Sequence, residues 1–168
     1  MIQYAPEQTG VAISPAILAR LYAEAPNIKY YKIECKPAGG YISSLLKTAG
    51  DGISVFVGNA GYQFIEAFDR GAVGAMPGCS MFDVYLKMYN EYTRGRRDLA
   101  METHNALLPM LNHIRQNVEM IIYYEKKILR KRGIIKSDYC RMPAFTPDAH
   151  YDRLFEEQYE RISKFFAG

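Results

Sequence analysis

Residues 28–34, with the sequence IKYYKIE, decide the fold. Aromatic and β-branched residues dominate this stretch, which predicts a β-strand. Lys32 is unusual in such a run, because lysine is poorly suited to a strand that is buried on both faces. Either it lies at the open end of the strand, where its apolar stem packs and its ammonium is solvated, or it is a reactive residue of a catalytic site. In a desolvated pocket the pKa of a lysine falls, and its neutral amine can attack a carbonyl carbon to form a Schiff base. From this stretch alone, the solvated lysine is the commoner case.

On either side of this stretch, predicted strands and helices alternate. The strands begin near residues 2, 28, 53 and 71, and a helix follows each of the first three. The helix after the first strand is predicted to begin at Pro15, with Ser14 as its cap. Alternation of this kind predicts parallel strands with crossover helices, and therefore an α/β fold. Beyond residue 80 we predict helices only, over residues 81–92, 97–116, 118–132 and 148–166.

The composition predicts an ordinary globular protein of one domain. The 168 residues are 49% hydrophobic and 23% charged, and the net charge of +3 is too small to indicate nucleic-acid binding. Cys35, Cys79 and Cys140 are scattered and odd in number, which is typical of a reducing compartment without disulfides. No apolar run reaches the roughly 18 residues of a membrane span, and residues 1–8 do not resemble a signal peptide. We therefore expect a soluble cytoplasmic protein that does not bind membranes.

Two further residue groups indicate no site. His104, His113 and His150 share no metal-like spacing with one another or with the cysteines, so we predict no metal site. Five basic residues between Lys126 and Arg132 fall at the end of a predicted helix, where cations oppose the negative end of the helix dipole. A nucleic-acid or anionic-lipid patch is the less favoured alternative for this cluster.

An ordered set of short motifs runs through nearly the whole chain. None is specific alone, but their order is. They are Tyr4-Ala5-Pro6 with Thr9-Gly10, Ser14-Pro15 with Leu18, Arg20 and Leu21, Pro26-Asn27-Ile28, Lys32-Ile33-Glu34, Gly58-Asn59, Gly71 through Gly78, Gly133-Ile134-Ile135, and Arg141-Met142-Pro143.

This set resembles the dihydrodipicolinate synthase / N-acetylneuraminate lyase family of class I, Schiff-base aldolases. The resemblance implies a (β/α)8 TIM-barrel type of fold with a C-terminal helical extension, of which this chain supplies the second half. Residues 1–80 would form the last four β/α units, and residues 81–168 the last barrel helix and the extension. Lys32 would form a Schiff base with pyruvate or another 2-oxo acid, without a cofactor. The substrate-binding residues would be Gln3, Tyr4, Gly74 and Met76.

The sequence departs from the family pattern at positions that matter for activity. Gln3 stands where the family has its proton-relay tyrosine, and Tyr4, one residue along, is expected to point to the opposite side of the strand. Gln8 stands where diaminopimelate-pathway members carry an arginine for the second substrate. The threonine-containing loop that holds the pyruvate carboxylate belongs to the first half of the family fold. Because Gln8 replaces that arginine, dihydrodipicolinate synthase activity itself is not expected.

Half a barrel leaves one face of the sheet and two strand edges uncovered, so we expect Val55, Val57, Val73 or Ala75 to be partly exposed. Three arrangements would cover them. Two copies pair as a homo-oligomer, a separate chain supplies a complementing half barrel, or this chain is a fragment of a longer gene product. The last is favoured.

Three functions stay open. The first is a Schiff-base lyase or aldolase, with Glu34 as an electrostatic neighbour of Lys32. The second is a catalytically incomplete remnant that acts as a binding or assembly module. An unrelated open sheet binding a phosphate-bearing ligand ranks last, because no phosphate-binding fingerprint is present.

Overall fold

The computed structural model describes residues 1–166 and divides the chain into two compact units. The first unit, Met1–Pro77, holds all four strands and four helices. The second begins at Gly78 and contains helices only. Within residues 1–166, no helix is both long and apolar enough to span a membrane.

The first unit is a four-stranded parallel sheet with helical crossovers, which confirms the predicted α/β class. Its strands are in chain order, and each pairs in parallel with the next. In the described part of the chain, the outer edges of the first and last strands pair with nothing. The elements are β1 (Ile2–Tyr4), α1 (Pro6–Thr9), α2 (Pro15–Glu24), β2 (Tyr30–Ile33), α3 (Ala38–Ala49), β3 (Ser54–Val57), α4 (Phe64–Asp69) and β4 (Gly74–Ala75), with 3-10 turns at Gly50–Gly52 and Asn59–Gly61.

Local sequence explains how α2 begins. Pro15 occupies its first turn, where the missing N–H would have no helical partner, as predicted. Ser14 is the N-cap residue, as predicted, and its backbone is extended, but its side chain makes no capping hydrogen bond. At the other end of the unit's sequence, the predicted fourth strand is reduced to Gly74–Ala75.

One face of the sheet is covered by helices and forms the core of the unit. Tyr31, Ile33, Val55 and Val57 point to this face and are completely buried. The expectation that Val55 and Val57 would be exposed is therefore wrong, because the alternation along β3 turns them toward the helices and turns Ser54 and Phe56 to the other face. Val73, at 47% exposure, does conform to the expectation.

The second unit is a group of four helices with an aromatic core. Tyr124 stacks on Phe155, with ring centroids 4.9 Å apart, and both side chains are completely buried. Asn117 and Asp148 cap two of the helices by accepting backbone N–H groups of the first turn. The helices are α5 (Phe82–Thr93), α6 (Arg97–Ile114), α7 (Val118–Lys131) and α8 (Ala149–Ser163).

The basic cluster at the end of α7 is neutralised within the second unit. Its lysines bind acidic side chains of α8 or a backbone carbonyl, and its arginines bind aspartates. The pairs are Lys126 with the Tyr139 carbonyl, Lys127 with Asp152, Arg130 with Asp138, Lys131 with Glu156, and Arg132 with Asp83. The cluster therefore stabilises the packing of this unit.

Candidate active site

The register of the sheet aligns four residues in one row across the strands. Gln3 pairs with Lys32, Lys32 with Phe56, and Phe56 with Gly74. Paired residues of parallel strands point to the same face, so the row lies on the face opposite the buried Tyr31. This open face carries the chain's candidate site.

A lysine and a carboxylate meet at the carboxyl end of β2. Lys32 and Glu34 are two residues apart, so alternation puts both on the open face. The Lys32 Nζ atom lies 3.4 Å from Glu34 Oε2, and the two side chains are only 17% and 9% exposed. The amine is therefore largely shielded from water while it still faces the open side of the sheet.

Four groups from three residues converge on Glu34. Its Oε2 atom accepts a hydrogen bond from Gln3 Nε2 and faces Lys32. Its Oε1 atom accepts the backbone N–H of Asn59 at 3.1 Å, and its backbone carbonyl accepts Asn59 Nδ2 at 2.8 Å. Burying a carboxylate costs free energy unless such partners are present, so the arrangement is a constructed polar site.

Two glycines make room for this arrangement. A Cβ atom at Gly58 would lie 1.8 Å from Glu34 Cγ, and one at Gly74 would lie 2.7 Å from the Phe56 ring. Glycine at position 58 is thus required for Glu34 to occupy its place, and glycine at position 74 leaves space for Phe56. Both glycines belong to motifs that the sequence singled out, but their purpose becomes visible only in the packing.

The turn after β3 adopts a backbone conformation that few residues tolerate. Asn59 has φ = 47° and Ala60 has φ = 51°, both in the left-handed region. Asparagine adopts this region more readily than most residues, whereas alanine does so at a cost. Strained turns of this kind cluster at functional sites.

The predicted site residues are only partly brought together. Gln3, Lys32 and Gly74 share the row on the open face, and Met76 follows the end of β4 with 38% exposure. Tyr4 lies on the opposite face, because side chains alternate along β1. There it is buried, and its ring stacks on Tyr41 with centroids 4.5 Å apart. Tyr4 is therefore a core residue in this structure, and its side chain lies on the other face of the sheet from Lys32.

Two other titratable groups near the end of β2 have raised pKa values. Burial, and to a smaller extent the carboxylate of Glu7, raises the pKa of the Cys35 thiol. Burial also raises the pKa of the Tyr41 phenol, which donates to the Ile13 carbonyl at 2.8 Å. A thiol with a raised pKa is a poor nucleophile. Within residues 1–166, no group of three or more histidine, cysteine or acidic side chains could hold a metal ion.

Comparison with known proteins places the chain in a family. Residues 1–160 match the model of the dihydrodipicolinate synthetase family. The chain belongs to this family. Its sequence is 32% identical over 157 residues to L-2-keto-3-deoxyarabonate dehydratase of Azospirillum brasilense, covering 92% of the chain and 50% of that enzyme. The resemblance drawn from the ordered motifs is thereby confirmed.

Solved structures show the same fold as this chain. Dihydrodipicolinate synthase from Rhodopseudomonas palustris superimposes with a TM-score of 0.86 at 24% identity, over 95% of this chain and 54% of that chain. The sialic acid aldolase of Ruminococcus gnavus superimposes with a TM-score of 0.83 at 21% identity, over 98% and 54% respectively. At these identities the likeness shows the fold. The chain spans about half the length of the relatives it matches.

Proposed function

We propose that this chain forms part of a lyase that binds a 2-oxo acid as a Schiff base on Lys32. One observation carries the proposal: a shielded amine lies beside a buried carboxylate on the open face, at the carboxyl end of a parallel sheet. Ligands of open α/β sheets bind at that edge. Membership of a family that contains a dehydratase and an aldolase supports the same reaction class.

The chemistry follows from the amine. The Lys32 amine passes a proton to Glu34 and attacks the keto carbon. Glu34 returns this proton to the departing oxygen, which leaves as water, and the nitrogen keeps one hydrogen and a positive charge as a cationic imine. The imine withdraws electrons from the neighbouring carbon, so a proton leaves that carbon and an enamine forms. From the enamine, a hydroxyl on the next carbon departs as water, which is dehydration. In the aldol direction, the enamine carbon forms or breaks a carbon–carbon bond.

Each step moves a proton, and Glu34 is the group placed to move it. Its Oε2 atom is within 3.4 Å of Lys32 Nζ. The amide of Gln3, which stands where the family resemblance implies a tyrosine, donates a hydrogen bond but is neither a general acid nor a general base at neutral pH. We therefore assign the acid–base role to Glu34 and an orienting role to Gln3. Gly74 and Met76 would line the substrate from the last strand, and Tyr4 has no part in this proposal.

A half-barrel arrangement accounts for the exposed groups of the open face. Tyr30 and Met76 are 48% and 38% exposed, and both edge strands lack a neighbour among residues 1–166. We propose that residues 1–80 are the last four units of a β/α barrel, that residues 81–168 are its final helix and extension, and that a second half covers the open face. That half comes from the same gene product, from another chain, or from a second copy of this one.

Exchange of the methyl hydrogens of pyruvate tests the proposed function. Enamine formation in D2O replaces these hydrogens by deuterium, and proton NMR follows their loss without a second substrate. We expect exchange with the wild-type protein and with Lys29→Ala, which removes an exposed lysine three residues away. Lys32→Ala should abolish it. Equal exchange by Lys32→Ala, or none by the wild type, would contradict the proposal.

A second candidate function is a binding or assembly module that has lost catalysis. The observation in its favour is that Gln3, whose amide is neither an acid nor a base at neutral pH, stands where the family resemblance implies a proton-relay tyrosine. Titration calorimetry separates the two functions. A folded, stable chain that takes up no 2-oxo acid would favour the module, whereas heat of binding that disappears in Lys32→Ala would favour the lyase.

A further inference from the structure

Asn59 is joined to Glu34 at two points. Its backbone N–H donates to the carboxylate, and its side-chain amide donates to the backbone carbonyl at the end of β2. The two residues are 25 positions apart in the sequence. Asn59 therefore ties the turn after β3 to the residue that bears the proposed acid–base group.

The two carboxylate oxygens of Glu34 have different partners. Oε1 faces the N–H of Asn59, whereas Oε2 faces Lys32 and Gln3. A carboxylate that is fixed at one oxygen cannot rotate freely, so the other oxygen keeps its direction. The oxygen that is directed at the amine is the one that a proton transfer would use.

We infer that Asn59 is a positioning residue that holds Glu34 Oε2 against Lys32. This inference rests on the proposed function, which it extends by a residue that does not touch the reacting atoms. The left-handed backbone of Asn59 is what aims its N–H at the carboxylate, and Gly58 supplies the space in which the carboxylate lies. Asparagine suits the position because it tolerates this conformation and donates through its amide.

Two substitutions separate the amide donor from the backbone conformation. Asn59→Gly keeps the backbone N–H and adopts a positive φ without strain, but it lacks the amide. Without the amide the turn is no longer tied to the Glu34 carbonyl, so the N–H is not held against Oε1. Asn59→Asp keeps the size and tolerates the conformation, but it replaces the donor by an acceptor. Ala60→Gly is the matched control, since it relieves the neighbouring left-handed residue and leaves both Glu34 contacts in place.

The kinetic test compares binding with proton transfer in the same protein preparation. For Asn59→Gly and Asn59→Asp we expect the maximal rate of pyruvate methyl exchange to fall about tenfold or more, with half-saturation by pyruvate changed less than about twofold. Ala60→Gly should match the wild type in both. Wild-type rates in both Asn59 variants would overturn the inference, as would a loss confined to half-saturation.

A second readout does not depend on catalysis. In the wild type, the Gln3 side-chain amide donates to Glu34 Oε2, so its proton resonances and their exchange with water report where that oxygen lies. We expect Asn59→Gly, but not Ala60→Gly, to shift these resonances and to speed their exchange. If the wild type exchanges no pyruvate hydrogens, the proposed function fails, and these resonances alone decide on positioning: unchanged resonances in Asn59→Gly overturn the inference.

Discussion

The two faces of the sheet are built from the same four strands but differ in burial and in polarity. The covered face holds Tyr31, Ile33, Val55 and Val57, none of which is exposed to water. The open face holds Gln3, Lys32 and Glu34 in one hydrogen-bonded group. Alternation along each strand separates the residues that stabilise the fold from those that we propose carry the chemistry, so the two sets do not compete for the same positions. Substitutions on one face should therefore affect stability, and substitutions on the other should affect chemistry.

The largest effect is expected from removing the charge of Glu34. Glu34→Gln keeps the shape of the side chain and abolishes its ability to take a proton. General acid–base catalysis contributes about 10²- to 10⁴-fold, so the maximal rate of pyruvate methyl exchange should fall by that factor. Trapping of the imine on Lys32 by borohydride should persist. Exchange at the wild-type rate in this variant would show that another group moves the proton.

Two neighbouring tyrosines of β2 should differ in their effect on stability, which is large for Tyr31 on the covered face and small for Tyr30 on the open face. Tyr31→Ala empties a completely buried site and should lower the free energy of unfolding by about 3–5 kcal/mol. Tyr30→Ala removes a ring that is 48% exposed, so it should cost about 1 kcal/mol or less. Denaturant unfolding of the two variants measures both values. Equal costs would mean that the open face is packed as tightly as the covered one.

A smaller effect is expected at Gly58, where the open face is crowded. Gly58→Ala introduces a Cβ atom that would overlap Glu34 Cγ, so it should displace the carboxylate and cost about 1–3 kcal/mol. Pyruvate methyl exchange should fall as well. Gly40→Ala is the control, because that helical glycine has open space around it and the change should stabilise α3 by about 0.5–1 kcal/mol. Full exchange activity in Gly58→Ala would contradict the described packing.

The smallest expected effect is the pH dependence of stability that Tyr31 causes on the covered face. Burial, and to a smaller extent Tyr22, raises the pKa of the Tyr31 phenol above its ordinary value of about 10. The folded state therefore holds this proton more tightly than the unfolded state does. The resulting stability is complete below about pH 10 and is lost as the pH rises through the folded pKa.

Tyr31→Phe tests that pH dependence. It removes a hydroxyl that donates to the carbonyls of Leu18 and Ile28, so it should cost about 1 kcal/mol at neutral pH. The difference from the wild type should shrink as the pH is raised above 10, because only the wild type loses the contribution. Unfolding midpoints measured at a series of pH values check this. A difference that stays constant across the series would show that Tyr31 ionises equally in both states.

Much of the fold could be predicted from the sequence, because it depends on local patterns. Strand and helix periodicities predicted the order of elements, and most helix ends fell within a few residues of the structure. The four-residue α1 escaped prediction, since Pro6 and Gly10 are equally typical of a turn. The exposure of Val55 and Val57 was predicted wrongly, because a short apolar run does not reveal which of its residues face the helices.

The site could be predicted only where its residues are close in sequence. Lys32 and Glu34 are two residues apart, so alternation and the family motif both brought them together. The contacts of Glu34 with Gln3 and Asn59 span 31 and 25 residues. They depend on strand register and on the shape of one turn, which no local pattern specifies. The same register put Tyr4 on the covered face, as the alternation along β1 had indicated.

The proposed function depends most on Lys32 being the amine that receives the substrate. The direct measurement is to incubate the native protein with isotope-labelled pyruvate, reduce with borohydride, and locate the label by peptide mapping. We predict label on Lys32, with the exposed Lys29 and Lys36 unlabelled. Label distributed over the exposed lysines, or no label at all, would contradict the assignment of the open face to chemistry.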